Sequence, residues 1–444
     1  MIEQVIAAAR ARGEGADALW HRVERTSVSF ESGRLKACGV SEEAGLNLRI
    51  LKDGRIGIAG TTADRPGDLL ERAVASAALG ETVPLVFPST TRLPSITTFS
   101  AAAAEASLDQ LTAFGTELVG RLSREGCQVN VGIERETIET RFLNTAGAQA
   151  AYPGTAVSVG VDLARFAGDD VLMVYDVYSG SDLPGREDLD ALVASIDRRY
   201  SPALRVVEPP DGSLPVVFTP SGWGAILLPL EQALSGKAVL QGVSPLADKV
   251  GQRLFDERFS IVDDPLAPDR PASRPVDDEG VASKTLPLIA EGVVRHFVYD
   301  LETAARAKTI STGHGVRGTF SKPRIGYSNL IIGPTQTGKG EEGRGKGQAP
   351  LGGGLLGGIE NGLVVDDLIG VGQGNVMSGA FSHPVALAYR IENSEVTGRV
   401  KDAAVAGNVY ELLKRIAGFG DDGRWMGNRW APSLLLEGVS VARR

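Results

Sequence analysis

Residues 17–62 read "DALWHRVERTSVSFESGRLKACGVSEEAGLNLRILKDGRIGIAGTT", and the reading of this stretch decides the first half of the fold. Polar and apolar residues alternate through it, the period of a strand with one covered face. Ser32-Gly33 and Asp53-Gly54 break the alternation where tight hairpin turns fit. The stretch therefore predicts a meander of three or four antiparallel strands. Upstream, "MIEQVIAAARARGEGAD" (1–17) is an amphipathic helix with charges of both signs and no h-region, so it does not read as a signal peptide. Downstream, "RPGDLLERAVASAALG" (65–80) has Pro66 and Asp68 at a helix start and Gly80 at its stop. Residues 85–100 are rich in Pro, Ser and Thr without periodicity, which predicts an extended crossing segment.

The pattern then repeats in kind. "SLDQLTAFGTELVGRLSREG" (107–126) is a helix capped by Ser107, and "CQVNVGIERETIETRFLNTAG" (127–147) and "TAVSVGVDLARF" (155–166) are alternating strands. Residues 186–200 return to helix, and tandem Pro209-Pro210 marks the best boundary between lobes. Beyond 211, short β-branched runs separated by Gly or Asp dominate, and only 223–236, 300–308 and 408–420 look helical. The fold class predicted is α+β in two lobes. An N-terminal lobe over 1–208 would comprise two sub-units of about 1–90 and 104–208. A β-rich C-terminal lobe over 209–444, barrel- or sandwich-like, would carry a glycine-rich, flexible loop at 335–358.

Composition narrows the function classes. In 444 residues, 43% hydrophobic and 23% charged content is that of an ordinary globular protein. A net charge of −9 disfavours nucleic-acid binding, which draws on Lys and Arg meeting phosphates. Two distant cysteines, Cys38 and Cys127, make no disulfide framework or thiolate site and fit a reducing compartment. No apolar run is long enough to span a membrane. A cytoplasmic location is the expectation.

The candidate chemistry is sparse. "GPTQTGKG" (333–340) approaches a phosphate-binding loop, but Gly340 stands where Ser or Thr should hold Mg²⁺, and no helix-forming sequence follows. "GVGQGNVMSG" (370–379) lacks the apolar helix of a dinucleotide fingerprint and reads as a bulged turn. Of four histidines, His21, His296, His314 and His383, no two share ligand spacing, and only His314, in "STGHG", sits in a site-like turn. The acidic pairs in "VDDP" (262–265) and "VDDEG" (276–280) suit either a hard metal or turn capping.

The order of these motifs resembles the TldD/PmbA family. "VDDP", "SRPVDDEG", "IAEGVVRHFVYDLETAARAK", "STGHG" and "SNLIIGP" follow one another through 262–334. "GLVVDDLIGVGQGNVMSGAFSHPVALAYRIENSEV" (362–396), "VAGNVYELLKRIAGFGDD" (405–422) and "PSLLLEGVSV" (432–441) continue the series. With residues 28–59 at the N-terminus, the resemblance covers essentially the whole chain. It implies two kinds of member. The TldD kind looks like a metalloprotease whose H-E-x-x-x-H helix supplies two zinc ligands and an acid–base Glu, with a late Cys as third ligand. The PmbA (TldE) kind lacks these residues and pairs with TldD in one peptide-cleaving complex.

Sliding that helix onto "WGAILLPLEQALSG" (223–236) puts its histidines near Pro229 and Leu234, with Glu231 the only acidic residue. "RIAGFGDDGRWMGNRW" (415–430) has no Cys. The resemblance therefore implies a PmbA/TldE-type subunit with no catalytic residue, metal ligand or cofactor of its own, zinc being expected only in a TldD-type partner. A peptide or unfolded polypeptide is the implied substrate. Under this reading Asp277, Asp278, Glu279, Gly280, Ser311, Thr312, Gly313, His314, Gly370, Gly372 and Gly374 are expected at a substrate groove or subunit interface. Two alternatives stand beside it: an autonomous hydrolase using Asp264, Asp277, Asp278 and His314 with a hard metal, and a peptide-binding protein without protease activity.

Overall fold

The computed structural model describes residues 1–63, 65–90, 92–334 and 350–443. The quoted meander forms strands Gly15–Glu31, Arg34–Lys52 and Arg55–Thr61. Their turns fall where the sequence places them: Ser32 and Gly33 have φ of 49° and 75°, Asp53 and Gly54 of 51° and 70°. Positive φ at both central residues lets the turn follow the twist of the strands it joins.

The two expected N-terminal sub-units are a single sheet. Gly15–Glu31 pairs antiparallel with Cys127–Asn144, from Asp17↔Asn144 to Phe30↔Val131. Gln149–Ala167 and Asp170–Gly180 extend it to six strands curved into a half-barrel. Helices Ile2–Ala9 and Pro66–Ala77 cover it near Ala16, Ala18, Leu46, Leu48 and Ile50. Helices Leu108–Leu122 and Arg186–Ala203 cover it near Val129, Val131, Ile133 and Val159. Ser107 makes a capping box with Gln110, each side chain reaching the other's backbone amide.

In the C-terminal lobe, strands Gly212–Phe218, Leu434–Arg443, Ala403–Asn408, Ala380–Glu392 and Asn361–Leu368 pair in that order. Asn361–Leu368 then pairs parallel with Gly212–Phe218 and closes a five-stranded barrel. A second sheet contains Phe259–Asp263, Leu286–Ala290, Leu330–Pro334, Arg429–Ala431 and Arg424–Met426. The helix Gly224–Ala233 packs with both, burying Ile226 and Leu230 among Val216, Phe218, Ile261, Leu288 and Ile332.

Strand alternation joins the lobes. Val216 and Phe218 face the barrel core, whereas Val217 packs with Val364, Tyr389 and the N-terminal helices. Val206–Val207, before the tandem prolines, already pairs with Arg399–Val400 of the C-terminal lobe. The segment 408–420 is helical only over Val409–Leu412, and strand Ile416–Phe419 follows. Of the glycine-rich stretch 335–358, and with it most of the "GPTQTGKG" motif, residues 335–349 lie outside the described residues. Residues 350–358 are tight turns whose Leu351, Leu355 and Leu356 pack on the inter-lobe core.

Candidate functional site

The helix Gly224–Ala233 follows a short 3-10 turn, Pro220–Trp223. Pro229, inside it, has no N–H to donate. Leu230, Ala233 and Leu234 are buried core residues, and the Pro229 carbonyl accepts a bond from the Tyr410 hydroxyl at 3.4 Å. The Glu231 side chain is 13% exposed. Its two carboxylate oxygens accept Nε and Nη2 of Arg429 at 2.7 and 2.9 Å.

Beside this helix lies an apolar hollow of about 220 Å³, walled by Trp223, Leu227, Leu228, Ile332, Val371 and Met426, with Ser221 and Arg429 among its polar lining. The glycine turn enters here. Gly370, Gly372 and Gly374 all have positive φ, and a Cβ at Gly372 would lie 3.2 Å from Leu228. The structure thus brings together two features singled out from the sequence, the ligand-poor helix and the 370–374 glycines.

A metal of the kind that the resemblance implies needs three or four N, O or S donors around one point. On this helix Glu231 is the one ionisable donor, and both its oxygens are committed to Arg429. Among the described residues no group of three or more His, Cys, Asp or Glu could hold a metal ion. The described residues at this helix do not fit such a metal.

The other candidates form a different place, the junction between lobes. Asp277 is 1% exposed, and its carboxylate accepts the backbone N–H groups of Glu279, Val281 and Gly315. Burial raises its pKa above the usual carboxylate range. Glu279, wholly buried, accepts Arg49 Nη1 at 2.5 Å and the Leu301 N–H at 2.6 Å. Burial, opposed by Arg49, pushes its carboxyl up to about 7. Arg49 also pairs with Asp17, which accepts Arg317 Nη1 at 2.7 Å. Gly280 has φ of 85°, and a Cβ there would meet the Phe142 ring at 2.4 Å.

His314 is 1% exposed. Its Nε2 lies 2.8 Å from Asp263, and its Nδ1 lies 2.9 and 3.0 Å from the Thr312 hydroxyl and carbonyl. Thr312 accepts the Tyr299 N–H, and Ser311 donates to the Tyr299 carbonyl. Gly313 supplies φ of 80° for the turn.

Asp277, Glu279 and His314 face the interior of the chain, where the acidic turn satisfies buried backbone amides and guanidinium groups. The alternative metal set also comes apart. Asp264 binds Thr285 and the Leu266 N–H, Asp278 accepts the Arg317 N–H, and His314 meets Asp263 rather than Asp264.

A second inter-lobe network was invisible in the sequence. Arg199 lies between Asp176 and Asp366 at 3.2 and 3.1 Å, and Thr219 donates to Asp366 at 2.7 Å. Arg424 donates to Asp176 at 2.6 Å and to Ser221, on the hollow's wall, at 3.0 Å.

Residues 211–443 match the PmbA/TldA metallopeptidase C-terminal domain, and residues 16–77 match the PmbA/TldA metallopeptidase domain 1. A TldE structure from Thermococcus kodakarensis is similar at TM-score 0.86 and 26% identity, covering 99% of both chains. A metalloprotease of Methanothermobacter thermautotrophicus is 25% identical over 93% of this chain and 89% of its own length. A Haemophilus influenzae metalloprotease PmbA homolog is 26% identical over 52% of this chain and 46% of its own length. A half-barrel lobe docked on a closed barrel, with the apolar helix between barrel and second sheet, defines a two-lobed, metalloprotease-related protein. The chain belongs to the PmbA/TldD family.

Proposed function

We propose that this chain is the non-catalytic, TldE/PmbA-like subunit of a TldD/TldE-type metalloprotease, completing a chamber in which a cytoplasmic partner cleaves peptides. The observation that carries this reading is the helix Gly224–Ala233. The positions that the resemblance assigns to zinc ligands hold Pro229 and Leu234, and the one carboxylate, Glu231, is held by Arg429. A helix so filled contributes core packing and one wall of an apolar hollow, and it holds no group able to activate water. The likeness to a TldE structure over the full chain supports the same reading.

The test is metal content and peptidase activity of the purified chain, alone and mixed with a TldD-type partner from the same cell. No stoichiometric metal alone, with cleavage only in the mixture and lost when the partner's zinc helix is mutated, is the expected result. Metal-dependent cleavage by the single chain would overturn the proposal. Peptide binding without cleavage in any mixture would leave a peptide-binding protein in its place.

A further inference from the structure

Two guanidinium groups at the lobe junction keep N–H groups without acceptors. Arg317, whose side chain is 0% exposed and whose guanidinium lies 6.0 Å from the centre of the Phe142 ring, donates Nη1 to Asp17 and Asn47, yet its Nε and Nη2 have no hydrogen-bond partner. Arg274, 12% exposed, points Nη1 at Asp278 across 3.7 Å, and again Nε and Nη2 are unpartnered. Buried donors are nearly always paired, so four such atoms in one place call for a reason. In both residues the free atoms form the same edge, two parallel N–H groups that match the two oxygens of an oxyanion. The protein uses this edge in that way elsewhere: Nε and Nη2 of Arg429 hold both oxygens of Glu231.

The opposite wall comes from the half-barrel. His21, Thr140 and Tyr152 are cross-strand neighbours on one face of three adjacent strands. His21 Nδ1 lies 3.1 Å from the Thr140 hydroxyl. His21 is within electrostatic reach of Asp278, Arg317 and Arg274, and Tyr152 of Asp278 and Arg274. The same strand face runs on, by the period of two, to Asn130, Gly132, Gly160 and Asp162, which line an open hollow of about 860 Å³.

We propose that Arg274 and Arg317, with His21, Thr140 and Tyr152 opposite, form a carboxylate-binding site where the C-terminal lobe meets the open face of the half-barrel. The geometry of the free edges sets the class of ligand. Asp278 lies beside the Arg274 guanidinium and accepts the Arg317 backbone N–H, Asp17 is shared by Arg49 and Arg317, Glu279 is turned to Arg49, and Asp277 to backbone amides. Two parallel N–H groups match the two oxygens of a carboxylate, and the carboxylates already present disfavour a phosphate dianion. Access runs past Arg274 and Asp278, whose side chains keep 12% and 13% exposure, and the long Arg274 side chain must swing to admit the ligand. The carboxylate comes either from a peptide, at its C-terminus, or from a free small acid. Its binding is independent of whether the chain cleaves anything.

Isothermal titration of the full chain with acetyl-trialanine, its C-terminal amide and sodium acetate, at matched ionic strength, tests this. The free-acid peptide binds and the amide binds at least tenfold more weakly. Acetate competing with the peptide indicates a site for free acids as well, and silent acetate indicates one for peptide ends. Arg274→Lys, which keeps the charge and removes the two-pronged edge, weakens the free acid at least tenfold. Equal binding of acid and amide, or no binding of either acid, overturns the proposal. Should Arg274→Lys fail to fold, the acid–amide comparison on the unaltered chain decides alone.

Discussion

Replacing Arg49 with Met removes the one side chain that bonds both Asp17 of the N-terminal sheet and Glu279 of the C-terminal lobe. Methionine fills much of the volume, so the lost interactions are mainly charge-assisted hydrogen bonds. Asp17 keeps Arg317, but Glu279 retains only the Leu301 N–H. Breaking a buried pair and stranding a charge costs about 3–5 kcal/mol. The Glu279 carboxyl already sits at about 7, so at neutral pH it can take up a proton cheaply. The lower end, about 3 kcal/mol at pH 7, is therefore expected. The sign follows from linkage. A carboxyl raised in the folded state contributes stability that is fully present below its unfolded value and lost as pH rises through about 7. Without Arg49 that carboxyl rises further, so above pH 7 the variant loses about 1.4 kcal/mol more per pH unit than the parent. Urea unfolding of both proteins at pH 6, 7 and 8 measures this. A loss under about 1 kcal/mol, or one independent of pH, would refute the account of the junction as a buried ionic clamp.

Three further perturbations separate structural from chemical roles. Glu231→Gln loses a two-pronged pair with Arg429 in which the Glu231 side chain is only 13% exposed, so stability should fall by about 1–2 kcal/mol. Activity of the mixture with a TldD-type partner should stay within about threefold, whereas a general acid–base carries roughly a hundredfold or more. Gly60→Ala puts a Cβ 2.0 Å from the Thr319 carbonyl, backbone of the other lobe. A destabilisation of about 2 kcal/mol or more in urea is expected, and a neutral variant would mean that the 317–321 segment yields easily. Gly372→Val forces a β-branched residue to φ of 95° against Leu228, costing about 1–2 kcal/mol. Its thermal shift should be modest and its pairing with a TldD-type partner impaired, and unchanged pairing would remove the 370–374 turn from the interface.

What the sequence disclosed was local. Ser32-Gly33, Asp53-Gly54 and the Ser107 cap were legible because a turn or cap is a contract among a few adjacent residues. The union of two apparent sub-units into one sheet was not, since the pairing of Asp17 with Asn144 leaves no trace in periodicity. The helix at 223–236 could be placed from residue types alone, whereas the ligand positions set against it came only with the resemblance. Burial misled where polarity was taken for exposure. "STGHG" and "VDDEG" look like surface turns, yet His314, Asp277 and Glu279 are inside because Asp263, Arg49 and backbone amides satisfy them. Those partners lie far away in the chain, and a buried Arg in a strand, such as Arg49, has no local signature.

The order in which the barrel strands pair has a consequence for the nascent chain. Gly212–Phe218 takes its hydrogen bonds from Asn361–Leu368 on one side and Leu434–Arg443 on the other. At roughly 5–20 residues per second, the second neighbour leaves the ribosome some ten to forty seconds after the first strand. Until then Val216 and Phe218, both wholly buried in the finished protein, have an open edge beside them. The half-barrel, complete by residue 180, can meanwhile fold and offer its helices as a surface on which those strands wait. A ribosome stalled before residue 434 should hold a protease-resistant N-terminal lobe and a C-terminal lobe that chaperones still recognise.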